Sequence, residues 1–326
     1  MEVFALAFMQ RALLAALLSG LIAPAIGTYI VQRRLSLLGD GLGHVAIMGV
    51  GLALMTNTAP LPAAIVVCVV GAVLVELLRQ RGKASGDVGL AILFYGGLAS
   101  GVMMAGVAGQ GAAALSSFLF GSLTTVSSGD LWLIAALAAL VLVVTVGLSP
   151  QLFAVTVDED FARVLGLPTR ILNLLVVVLA AVTVTVSMRT VGLLLVSAMM
   201  VIPVATADNI AVGFRNTLFL AMGIGMVVAV GGTTASFYLD TASGATIVVL
   251  SILAFALSWP LSGRLRDRRF VAFVEDEDPD REHIVAEAHD HVHDPESCVK
   301  IQHGDHFDYV HDGHRHARHG DHFDEH

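Results

Sequence analysis

Apolar runs of about twenty residues recur along the chain, separated by short stretches rich in charge, glycine or proline. That spacing is the mark of membrane-crossing helices, since roughly twenty apolar residues span the hydrocarbon core. The runs predict nine spans, at about 9–32, 37–56, 60–79, 88–108, 130–149, 170–188, 190–207, 216–237 and 243–262. A further apolar segment, Ala112–Thr125, is too short to cross and reads as a re-entrant or half-helix piece. The expected fold is all-α: a polytopic transmembrane bundle occupying residues 1–269, followed by a tail, residues 270–326, in which apolar residues are sparse.

The polar breaks orient the bundle. Arg33 and Arg34, Arg79, Arg81 and Lys83, Arg163 and Arg170, Arg215, and the group Arg264, Arg266, Arg268 and Arg269 fall on one side if the spans alternate. Short cytoplasmic loops hold excess Lys and Arg, so that side is expected to be the cytoplasm, with the tail inside. Arg11 and Arg189 are the minority on the other side. Composition agrees with a membrane protein: 56% of the 326 residues are hydrophobic, 14% are charged, and the mean hydropathy is +0.79. Cys68 and Cys298 make no disulfide framework. The net charge of −9 conceals a division, because residues 275–326 carry 16 Asp and Glu against 4 Lys and Arg.

Candidate chemistry concentrates in two places. The stretch Leu35–Leu54 sets Asp40 and His44 four residues apart among Leu, Gly, Ala, Val, Ile and Met. That spacing stacks both side chains on one helix face, offering a hard oxygen and a borderline nitrogen. A carboxylate inside a span costs about 2.5–3.5 kcal/mol on insertion scales, so it is kept for a partner or a water-filled path. Two readings follow: a hydrogen bond tying spans together, or a cation site. Two ligands alone do not complete a metal site, whereas a two-fold axis beside this helix would supply two Asp and two His, pointing to a homodimer. No HExxH and no Walker A sequence occurs, so neither an intramembrane zinc protease nor a built-in ATPase is supported.

The tail holds the remaining twelve of thirteen histidines. His289, His291 and His293 alternate, and His-Gly-Asp-His-Phe-Asp occurs at 303–308 and again at 319–324, which brings in His303, His306, His319 and His322, with His311, His314 and His316 between. Its acidity and low hydrophobicity predict disorder. Imidazole mixed with carboxylate favours zinc, nickel, cobalt or copper over magnesium or calcium, so these histidines are candidate weak metal ligands rather than parts of a solubilising tail.

One loop differs from the others. Ser149–Pro168 is long, and its centre reads as a short amphipathic helix with Asp158, Glu159 and Asp160 in the first turn, Arg163 beyond them, and Gly166 and Pro168 ending it. It is either a solvated interfacial helix or a docking element for a cytoplasmic partner.

Taken together, four stretches resemble one family, the membrane permeases of zinc- and manganese-importing ABC transporters. They are Leu35–Leu54, with its Gly-Asp and a His four residues after the Asp; Asp158–Pro168; Val191–Ala207; and the run beginning Ser243-Gly-Ala-Thr. The segment Leu119–Ser122 fits as well. Gly43 stands where the family has Ser, and Met48 where it has Pro. The resemblance covers residues 10 to 262. It implies a type II ABC importer in the bacterial cytoplasmic membrane, in which two permeases form a channel above two ATPase subunits and receive metal from an extracytoplasmic binding protein. It further implies Asp40 and His44 as the channel site, Asp158, Glu159, Asp160, Arg163 and Gly166 as the ATPase-coupling segment, and zinc as the expected cargo, with manganese the alternative. No bond chemistry, tightly bound cofactor or nucleic-acid partner is implied. A secondary cation transporter with a His-rich cytoplasmic tail is the competing class.

Overall fold

The structure is a computed structural model, and it describes residues 6–80, 86–109, 111–121, 127–188, 191–274, 299–303, 306–311, 314–319 and 322–325. The chain divides into two units, Met1–Leu265 and Arg266–His326. Among the described residues the helices are α1 (Ala7–Gln32), α2 (Leu38–Thr56), α3 (Pro60–Gln80), α4 (Gly86–Val107), α5 (Gly111–Phe120), α6 (Ser128–Gly147), α7 (Ser149–Val157), α8 (Glu159–Val164), α9 (Thr169–Ser187), α10 (Leu193–Ile210), α11 (Phe214–Leu239) and α12 (Ser243–Val274).

Within the first unit α1, α2 and α9 form the centre, buried over most of their length, while α3, α6 and the start of α12 are more exposed. The outer helices present large apolar side chains such as Val66, Val70, Leu140, Val143 and Leu257. In a bilayer such a surface meets lipid or another subunit at no hydrophobic cost. Close crossings depend on small residues: a Cβ placed on Gly20 of α1 would come within 2.5 Å of the Gly225 carbonyl oxygen of α11. Gly225 and Gly232 sit at such crossings, whereas Gly223 and Gly231 face open space.

The span count is corrected. Seven helices among the described residues are long and apolar enough to cross, not nine. The segments expected as the fourth and seventh spans occur as α4, of 22 residues, and α10, of 18 residues, and are not among the seven. At 1.5 Å per residue these two helices are about 33 and 27 Å long. The piece expected to be re-entrant forms α5, about 15 Å long by the same rise.

The second unit, where the sequence leads to an expectation of disorder, forms strands among its described residues. It carries β1 (Val299–His303), β2 (His306–His311), β3 (His314–His319) and β4 (His322–Glu325), paired antiparallel in the order β1-β2-β3-β4. The acidic charge that predicted disorder is here offset by a local signal. Successive strands are separated in sequence by Gly304-Asp305, Asp312-Gly313 and Gly320-Asp321, the two-residue spacers most favourable to hairpins.

Candidate functional site

The α2 N-terminus is built from small residues. Gly39 and Gly43 lie four apart and face α10: a Cβ on Gly39 would sit 3.1 Å from Ser197 Cβ, and one on Gly43 would sit 3.3 Å from the Leu193 carbonyl oxygen. On the opposite side Gly97 lets α4 close on the helix, since a Cβ there would lie 2.7 Å from the His44 carbonyl oxygen. The glycines therefore bring α4 and α10 against the turn that carries Asp40 and His44.

Asp40 occupies the first turn of α2, where the helix dipole favours a negative charge. Its side chain accepts a hydrogen bond from Ser197 Oγ. His44 is buried, and its Nδ1 lies 2.7 Å from the Asp40 backbone oxygen. A carbonyl oxygen can only accept, so Nδ1 carries the hydrogen and Nε2 keeps its lone pair, the tautomer a metal-ligating imidazole adopts. The ring packs on Phe94, with centroids 3.9 Å apart. The two residues predicted from spacing thus share one face of α2. Ser197 and Phe94 were not singled out from the sequence: a serine alone among apolar residues in Val191–Met200 was a usable signal for the first, and Phe94 carried none. Among the described residues of the first unit no group of three or more His, Cys, Asp and Glu converges, so there one chain offers a partial ligand set.

A second polar cluster begins at α8. Asp158 caps this helix, accepting from the Phe161 backbone N–H at 2.9 Å. Arg163 bonds both Asp160 (3.0 Å) and Glu159 (3.2 Å), and Gly166, at φ +79°, takes the left-handed conformation that ends the segment. Glu159 also turns inward. Its Oε2 accepts from Asn173 Nδ2 at 3.0 Å, and Asn173 Oδ1 accepts from Arg33 Nη2 at 2.5 Å. Asn173 is buried. Burial first, then the Arg79 charge, lowers the Arg33 pKa from its ordinary value, while Glu76 and Glu159 act in the opposite direction. Glu76, in the last turns of α3, is buried and held by Arg79 through two bonds of 2.8 Å. The outward surface of this region is apolar as well as acidic, because Val157, Phe161, Val164 and Leu165 are all exposed.

Of the tail candidates, His289, His291 and His293 lie outside the described residues. His303, His306, His311, His314, His316, His319 and His322 fall on the strands, with His303 opposite His306, His311 opposite His314, and His319 opposite His322.

These features define a multi-pass helical membrane permease with a polar pair at a helix contact. The chain belongs to the ABC 3 transport family, whose model matches residues 5–261. It is 31% identical over 259 residues to a manganese transport system membrane protein of Halalkalibacterium halodurans, covering 79% of this chain and 88% of that one. It is 30% identical over 247 residues to the high-affinity zinc uptake system membrane protein of Haemophilus influenzae, covering 76% and 95%. The solved structure of PsaBC from Streptococcus pneumoniae in complex with Fab contains a chain that superposes with a TM-score of 0.72 at 27% identity, covering 79% of this chain and 93% of that one. The bundle is accordingly the type II ABC importer fold, and the chain is a multi-pass bacterial membrane protein, a transport subunit and not an enzyme. Permeases of this family work with an ATPase subunit and an extracytoplasmic binding protein.

Proposed function

We propose that this chain is the permease subunit through which a divalent first-row metal ion is imported, with manganese as the cargo. The observation that carries the reading is Asp40 and His44 stacked in an otherwise apolar helix, with the imidazole Nε2 left to accept a cation. Two copies assemble about a two-fold axis, and Asp40 and His44 of each replace part of the ion's hydration shell. Manganese takes precedence over zinc, the cargo expected from the sequence, on two grounds. The manganese transport protein among the relatives supports it, and carboxylate and hydroxyl oxygens at Asp40 and Ser197 suit a harder ion. Zinc is the second reading, favoured by the imidazole and by the zinc uptake protein among the relatives.

The ATPase docks on α8 from the cytoplasm, the side on which the tail also emerges. Its grip is on the exposed Val157, Phe161, Val164 and Leu165 together with Asp158 and Asp160, and the apolar contacts supply the area that charges alone do not. Movement of α8 reaches the metal pair through Glu159, Asn173 and Arg33, the last of which lies in the connection leading into α2. Alternating access follows when that connection shifts. The test is uptake of radioactive manganese and zinc, separately and in competition, by vesicles holding the permease, its ATPase and its binding protein. Manganese uptake that zinc does not outcompete supports the first reading, and zinc uptake alone supports the second.

A further inference from the structure

The tail strands place donor residues in a way their sequence order conceals. Histidine recurs every eight residues at 303, 311 and 319 and again at 306, 314 and 322, so each of β2 and β3 begins and ends on one. The first hairpin pairs His303 with His306, and the third pairs His319 with His322. The β2–β3 register sets Asp308 opposite Ala317, and continued to the strand ends it sets His306 opposite His319. Residues directly opposite across strands share a face, and faces alternate with period two. His303, His306, His319 and His322 therefore occupy one row on one face. Two residues along on the same face lies the row Ile301, Asp308, Ala317 and Asp324. His311, His314 and His316 belong to the other face.

The sixteen-residue separation of the two His-Gly-Asp-His-Phe-Asp copies now has a physical meaning. Sixteen residues are two strands with their spacers, so the second copy returns to the same row of the same face as the first. Each copy then contributes one set of two imidazoles and one carboxylate: His303, His306 and Asp308 in one, His319, His322 and Asp324 in the other.

We propose that this face binds two first-row metal ions of the imidazole-preferring kind, with Zn2+ as the type ion, one on each set. Directly opposite residues have Cβ atoms about 4.5–5.5 Å apart, a separation from which two imidazoles can meet one ion at Zn–N distances of about 2.0–2.1 Å. The full row spans about 14 Å at the usual interstrand spacing, too wide for one tetrahedral ion and suited to two. Two imidazoles and a carboxylate leave a coordination position open, so the ions exchange rather than being locked in. The proposal is independent of which ion the bundle carries.

The test uses the full-length permease in detergent with Asp40→Ala and His44→Ala already introduced, so that bound metal reports the tail. Zn2+ binding is counted by equilibrium dialysis, with Co2+ absorption reporting low-coordinate geometry. Two ions are expected, falling to one with His319→Ala and His322→Ala, and to none when His303→Ala and His306→Ala are added. His289→Ala, His291→Ala and His293→Ala together leave both sites. The discriminating variant exchanges neighbours, His306→Phe with Phe307→His, which keeps composition but moves an imidazole to the other face. It is expected to lose one ion or to weaken that site at least about tenfold, as disturbing a ligand shell does. Unchanged binding by the exchanged variant would overturn the site and leave only chelation by an unstructured His-rich chain. Absence of Zn2+ binding in the starting protein would overturn it outright.

Discussion

Ser197 of α10 donates a hydrogen bond to the carboxylate of Asp40 in α2, joining residues 157 positions apart in the chain. Gly39 makes the approach possible, since its missing side chain seats the Ser197 backbone. The contact holds one carboxylate oxygen in place, and under the proposed function the other faces a cation, with Ser197 as a positioning residue.

Ser197→Ala is therefore expected to weaken metal capture without abolishing it. A hydrogen bond to a charged group contributes about 1.5–3 kcal/mol, and part of the loss is recovered by water, so the half-saturating metal concentration should rise about tenfold. Ser197→Thr, which keeps the hydroxyl, should retain more function than Ala. Uptake rate against metal concentration separates this from a folding defect, which would lower the maximal rate at all concentrations.

Asn173 is the second point at which a single side chain joins distant parts, bonding Glu159 on one side and Arg33 on the other. Asn173→Ala would take the Asn173 partner from the half-buried Arg33, while Glu159 keeps its bond to Arg163, a loss of about 1–3 kcal/mol. The expected phenotype is uncoupling: ATP hydrolysis by the assembled transporter continues while metal uptake falls at least tenfold. Parallel loss of both activities would mean that Asn173 serves stability only.

The α8 surface gives a topological test. Ala162 is fully buried, whereas Val164 is 83% exposed, so a cysteine at 164 and not at 162 should cross-link to the ATPase. Reversing Asp158, Glu159 and Asp160 to Lys should also uncouple transport, with about 1 kcal/mol of the effect due to the lost cap at Asp158 rather than to docking. Cross-linking from Val164→Cys to the extracytoplasmic binding protein would invert the proposed orientation.

Sequence alone reached Asp40 and His44 because helical spacing is local: i,i+4 residues share a face whatever surrounds the helix. It placed Asp158 at the start of α8 for the same reason, though in the first turn and not as the cap it forms. It did not reach Ser197, Phe94 or Asn173, whose roles depend on which helices touch. The burial of Glu76 was not legible either, because the fork of Arg79 that holds it inside follows from packing. The span count differs at α4 and α10. In the tail, net charge and low hydrophobicity led to the expectation of disorder, and the hairpin spacers between the strands were not weighed.

The account rests on Asp40 and His44 as the point where the ion sheds water. The most direct measurement is uptake of radioactive manganese and zinc by vesicles holding the complete transporter with Asp40→Ala or His44→Ala in the permease, beside a check that the complex still assembles. Under a two-fold arrangement each substitution removes two protein ligands at once, so both variants should assemble normally and fall to background uptake for either metal. Uptake at the unsubstituted rate in either variant would contradict the account and reduce the pair to a contact between helices.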